Sequence, residues 1–211
     1  MAAISTRHWS PGCGRGAAAA WSSLALSLVW FVMALQPGSA GCRPIRFAVL
    51  EAAPPFVHAE LALAMQEIHQ RSGLVFEEVA GGADAPLSIS WGVPDDDRRT
   101  TSDSTLSHHD APRRLGFGRG VWRVGPGQRE LQEGSVEIDA SLAWPLGTDR
   151  GDSLATAFVH ELGHVVGLHH NPESSSYMYA SALARPPAWT PAEEVELARL
   201  GQLSGCPPTA S

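Results

Sequence analysis

The residues best equipped for chemistry lie at 160–170, which read His-Glu-Leu-Gly-His-Val-Val-Gly-Leu-His-His. On a helix, His160 and His164 stand one turn apart and face the same way. Two imidazoles so placed can grip one zinc ion from one side. A catalytic zinc takes three protein ligands and keeps its fourth position for water. The third ligand must therefore come from beyond the helix. Gly167 offers the exit, because a residue without Cβ readily takes the left-handed conformation that ends a helix. The chain can then turn back and present either His169 or His170. Glu161 follows His160 directly and can reach the water beside the metal without ligating. Zinc acidifies water and polarises a carbonyl, so a carboxylate at 161 suits a general base that later protonates a leaving amine. These residues predict amide hydrolysis by water, without a covalent enzyme intermediate.

Such a site needs a helix beneath it and elements to hold that helix. Asp152 is predicted to cap a helix running to about Val166, with Leu154, Ala157, Phe158, Leu162 and Val165 available for burial. A closing helix is signposted by Thr190 as cap, Pro191 in the first turn and Glu193 completing a capping box. Upstream, Phe56 to Arg71 has helical spacing and Gly73 stops it. Arg46 to Leu50, Leu74 to Phe76, Leu87 to Trp91, Leu115 to Val124 and Ser135 to Ile138 read as strands. Gly92 to Gly134 is otherwise polar and loop-like. Strand and helix first, then mostly strands, then two helices, is an α+β order.

Residues 160–170 match HExxHxxGxxH, and on this motif the chain resembles the metzincin zinc peptidases. The resemblance selects His170 as third ligand over His169, which is left to the surface or to support. It also implies that Met178 is the methionine of the Met-turn, a floor beneath the metal and not a ligand. Within the clan the chain is most similar to matrixins. Asp152 to Gly167 resembles their active-site helix with its lead-in, Met178-Tyr179 their Met-Tyr pair, and the stretch after Thr190-Pro191 their last helix. Asn171-Pro172 and Ala180 depart from that family, where serine follows the third histidine and proline follows Met-Tyr. The implied fold is a metzincin-type domain: a twisted mixed sheet, an active-site helix, and a small C-terminal part. An edge strand that pairs with substrate is implied too, either Thr105 to His109 or Leu115 to Val121. The pocket beside the zinc would be walled by Ala182, Leu183 and Ala184.

The 211 residues suffice for one domain, and 44% hydrophobic with 18% charged residues is a globular composition. The net charge of −7 argues against nucleic acid or anionic lipid as the main partner. Residues 1–41 read as an export signal: Arg7 and Arg15 precede an uncharged run from Ala17 to Leu35, and small residues Gly38-Ser39-Ala40 close it. The competing reading is a retained membrane anchor over 17–35. Cys13 would leave with the leader, so no cysteine remains to latch the zinc, and an enzyme made without a cysteine switch is expected. Cys42 and Cys206 are then left at the two ends of the mature chain. An oxidising compartment favours a disulfide between them, with lipidation at Cys42 as its rival.

His108, His109 and Asp110, with Asp95 to Asp97 and Asp103, form a polar loop that is a weak candidate for structural zinc or Ca2+. His58 and His69 are expected at the surface. The expectation is thus a secreted, monomeric zinc endopeptidase with one catalytic zinc, its domain spanning 42–206 and a short tail 207–211. Its partners are protein or peptide substrates. The rivals are a non-catalytic zinc-binding module of the same fold and an amidase or esterase using the same water.

Overall fold

The first strand, β1 (Ile45–Val49), is the apolar run that the sequence marks, with Ile45, Phe47 and Ala48 buried. It is seen in a computed structural model that describes residues 41–50, 52–80, 82, 84–92, 115–125, 128–181 and 185–208. All of them belong to one compact unit, Gly38–Ser211. The leader, the Asp and His loop of 93–114, and Ala182 to Ala184 lie outside the described residues, apart from Gly41.

Helix α1 (Pro55–Ser72) starts on a proline, whose missing N–H costs nothing in a first turn. It ends at Gly73, whose N–H bonds the His69 carbonyl. Val57, Leu61, Ala64, Met65 and Ile68 form its buried stripe. Strand β2 (Phe76–Glu78) begins two residues later than expected. The Leu74 N–H bonds the Ser72 hydroxyl at 3.1 Å, so the chain is still tied to the helix end there, and Leu74 plugs the core instead.

Strands β3 (Leu87–Gly92), β4 (Gly116–Gly125) and β5 (Gln128–Asp139) complete a five-stranded sheet in the order β2-β1-β3-β5-β4. The first four run parallel, and β4 is antiparallel to β5. Only Gly134–Asp139 of β5 also pairs with β3. The Gln128 to Glu133 half meets β4 alone among the described strands, so it is a two-stranded ribbon with a solvated face. Arg119–Glu133 at 2.9 Å and Arg123–Glu130 at 2.6 Å decorate that face. Polar composition made this half read as loop; as a ribbon it has little need of apolar residues.

Two further helices follow, α2 (Leu154–Val166) and α3 (Pro191–Leu203). The cap of α2 is Ser153, not Asp152: the Ser153 hydroxyl accepts from the Thr156 N–H at 3.3 Å. Asp152 is taken by a two-pronged ion pair with Arg150, at 2.7 and 2.8 Å. Around α2, Leu154, Phe158, Val159, Leu162, Val165 and Val166 are all buried, because α1, β4 and β5 pack against it. Helix α3 opens with the expected capping box between Thr190 and Glu193. The sheet, α1 and α2 share one hydrophobic core, and the order is α+β. Among the described residues no helix is long and apolar enough to cross a membrane. Cys42 and Cys206, 164 positions apart in sequence, are joined by a disulfide.

Candidate metal centre and active site

The geometry of α2 brings the His160 and His164 Nε2 atoms to 3.2 Å. His160 Nδ1 lies 2.7 Å from the Tyr177 carbonyl, and His164 Nδ1 lies 3.0 Å from the Leu168 carbonyl. A carbonyl only accepts, so both Nδ1 atoms carry the proton and both Nε2 atoms carry a bare lone pair. Two lone pairs facing each other repel unless a cation stands between them. Two ligands at about 2.0–2.1 Å from a tetrahedral zinc are about 3.3 Å apart. The pair as folded is therefore already set for such an ion.

His170 closes the triangle. Its ring centroid is 5.3 Å from that of His160 and 4.7 Å from that of His164. Among the described residues, the group whose donor atoms converge is His160, His164 and His170, with those atoms within 4.8 Å of one another. His169 is exposed and outside that group. The turn that delivers His170 is made by Gly167 at φ 113°, where a side chain would be strained. The N–H groups of Gly167 and Leu168 both bond the Gly163 carbonyl, which closes the helix end. Burial pushes the His160 imidazole down to about 4, against a smaller opposite pull from its bond to Tyr177. Burial lowers His164 too. Both rings are held in the neutral form that a metal requires.

Met178 is fully buried against α2. A Cβ placed on Gly163 would come within 2.5 Å of its sulfur, so the helix turn between the two histidines rests on the methionine. Gly163 was not singled out from the sequence. A glycine inside a helix costs about 1 kcal/mol relative to alanine, which is the signal that marks it.

The Met178 segment is itself anchored. Its N–H bonds the Ser176 hydroxyl at 2.8 Å, and that hydroxyl donates to Glu193 Oε1 at 2.5 Å. Asn171 Nδ2 donates to the same carboxylate oxygen at 3.0 Å, and the Asn171 N–H bonds the Met178 carbonyl at 2.8 Å. Buried Glu193 thus ties the residue after His170 to the turn that carries Met178. Its part as a capping residue was legible, but its hold on Asn171 and Ser176 was not, since those contacts span 17 and 22 residues.

A cleft of about 1010 Å³ opens over the three histidines. Leu115 to Gly120 form one wall, at the outer edge of the described sheet. Thr156, Ala157, Glu161, Trp144, Tyr177 and Tyr179 also line it. Glu161 is only 7% exposed, yet it borders this space with His160. Strand β4 reaches so close because Gly116, Gly118 and Gly120 alternate along it. A methyl at Gly118 would overlap the Glu161 carbonyl, and one at Gly120 the Val165 carbonyl. Of the two expected edge strands, Leu115 to Val121 overlaps β4, while Thr105 to His109 lies outside the described residues. His58 and His69 stand away from the cleft: His58 is 3.8 Å from Glu78, and His69 bonds the Leu74 carbonyl.

Fold and site together define the class, a metzincin-type domain whose three imidazoles can hold one divalent cation. The model of the matrixin family matches residues 51–190, and the chain belongs to that family. Human stromelysin-3 is 38% identical over 56 residues, which cover 26% of this chain and 12% of the relative. Human matrix metalloproteinase-19 is 33% identical over 129 residues, which cover 59% of this chain and 22% of the relative. The chain therefore matches under a quarter of either relative's own length. Matrixins are zinc metalloproteases, and the histidine group suits that metal.

Proposed function

We propose that this chain is an exported zinc endopeptidase, with His160, His164 and His170 as metal ligands and Glu161 as general base. The observation that carries the reading is the pair of Nε2 atoms at 3.2 Å, with His170 completing the group beneath an open cleft. When bound, zinc supplies a Lewis acid that brings the pKa of water to about 7 and polarises the scissile carbonyl.

The protein residues do the rest. The exposed backbone of β4 pairs with an extended peptide as an added strand, laying its carbonyl over the histidines. Glu161 takes a proton from water as the oxygen attacks the carbonyl carbon. The C–N bond then breaks, and Glu161 returns the proton to the leaving nitrogen. Gly167 sets the turn to His170, and Met178 supports the helix beneath.

In the same reading, residues 1–41 direct export and are removed, and 42–206 is the protease domain. The Cys42–Cys206 disulfide fits an oxidising compartment, and it leaves Cys42 without a thiol for lipidation. Proteins or peptides are the substrates.

The test is cleavage of casein by the purified chain, with and without a chelator, beside Glu161→Ala. Wild type should cleave and lose activity in chelator. The variant should keep zinc but fall about 10²–10⁴-fold in rate. Undiminished cleavage by Glu161→Ala removes the mechanism, and cleavage that persists in chelator removes the metal.

A further inference from the structure

The last turn of α2 carries His164 and leads through Gly167 to His170, so whatever fixes that turn also fixes two of the three metal ligands. A helix end leaves carbonyls without helical partners. Here the Val165 carbonyl accepts the Trp122 indole N–H at 2.7 Å, and the Val166 carbonyl accepts Arg129 Nη2 at 2.7 Å. The donors come from the β4–β5 ribbon, 43 and 37 residues away in sequence. The Arg129 guanidinium lies over the Trp122 ring, 3.6 Å from its centroid, so the two donors form one rigid unit. Both terminal nitrogens of Arg129 stand 3.7 Å from the position a Cβ would take on Gly167.

Arg129 is an expensive way to satisfy one carbonyl. It is only 7% exposed, and its Nε is buried with no hydrogen-bond partner among the described residues. Desolvation is the main cause that lowers its pKa to about 10, with Arg199 adding to the fall and Glu196 opposing it. It nonetheless stays a cation at neutral pH. Apart from the pull of Glu196, its compensation is concentrated at one place: the negative pole of α2, the Val166 carbonyl and the tryptophan face. A shape-filling role would be met by an uncharged residue.

We propose that Arg129, seated on Trp122, is a positioning residue for the metal centre. It clamps the final turn of α2 and thereby sets where His164 and His170 stand. The inference rests on the zinc-peptidase reading and adds a residue pair that touches neither metal nor substrate. Because His164 Nδ1 bonds the Leu168 carbonyl, a loosened turn also loosens the ring orientation of His164. Outer partners of this kind typically control metal affinity by 10–100-fold.

The experiment measures zinc affinity by competition with a chromogenic chelator at 25 °C, using the full mature chain. Wild type is compared with Arg129→Ala, Arg129→Lys, Trp122→Phe and the control Arg123→Ala. Arg123 lies on the same ribbon but is exposed and pairs with Glu130. Arg129→Ala should bind zinc at least about tenfold more weakly. Arg129→Lys should recover part of the loss, Trp122→Phe should lose several-fold, and Arg123→Ala should match wild type. Melting of the metal-free proteins is recorded alongside. A purely structural role would lower that melting temperature and leave the affinity of folded protein unchanged, which overturns the proposal. If Arg129→Ala does not fold, unchanged affinity in both Arg129→Lys and Trp122→Phe overturns it equally. A wild type that binds no zinc would instead sink the underlying metal reading.

Discussion

At the scale of single residues, the proposed ligand set and its proposed base are compact in sequence because one helix and one turn supply them. Their spacing therefore pointed to the group that the fold brings together. The supports of those ligands were not legible. The Tyr177 and Leu168 carbonyls fix the two imidazole tautomers, and any residue type supplies a carbonyl. Burial of His160 has a consequence for pH. Its folded value of about 4 lies below the roughly 6.5 of an unfolded histidine. Between those values the unfolded chain binds a proton that the folded chain does not, so stability falls as pH drops through that window. Metal-free protein should therefore melt at a lower temperature at pH 5 than at pH 7, and His160→Gln should show a shallower dependence. Equal dependence in the two proteins would mean that His160 is not buried neutral.

At the scale of elements, α1, the α3 capping box and the positions of β1 and β3 were readable from apolar spacing and terminal signals. The start of α2 was misread by one residue. Asp152 and Ser153 are both good caps, and the choice was made by Arg150, which captured the aspartate. Half of β5 was missed because a ribbon exposed on one face lacks the apolar alternation of a core strand. The alternate glycines of β4 belong to this scale as well. Within the stretch already read as a strand, they let that strand lie on a helix backbone. Gly118→Ala should push β4 away from α2, destabilising the fold by about 1–3 kcal/mol. Denaturant unfolding measures the stability, and peptide cleavage should show a larger KM as the substrate edge shifts. A variant with wild-type stability and KM would show that the contact is not tight.

For the whole molecule, the disulfide joins Cys42, just before β1, to Cys206, just after α3. Both cysteines were visible as the end points of the expected mature chain, although sequence left the disulfide and lipidation as alternatives. In the chain-entropy account a closed loop of more than a hundred residues stabilises by about 5 kcal/mol, and loss of such a link typically costs about 2–5 kcal/mol. Cys42→Ser should thus lower the melting temperature by several degrees, and reducing agent should lower wild type to a similar value. Equal melting of wild type and variant under oxidising conditions would show that the link contributes nothing. Gln128 bridges the same region, donating to the Gly41 and Ser204 carbonyls at 3.1 and 3.3 Å. The ribbon that supports α2 is thereby fastened beside both cysteines of the disulfide. Its long-range pairings explain why the sequence, read locally, showed the ligands but not the frame around them.

The most direct measurement is X-ray absorption at the zinc edge on the zinc-loaded mature chain. One zinc per chain, with three imidazole nitrogens and a single further oxygen from solvent, is the predicted result. A fourth ligand from protein, or fewer than three imidazoles, would contradict the proposed centre.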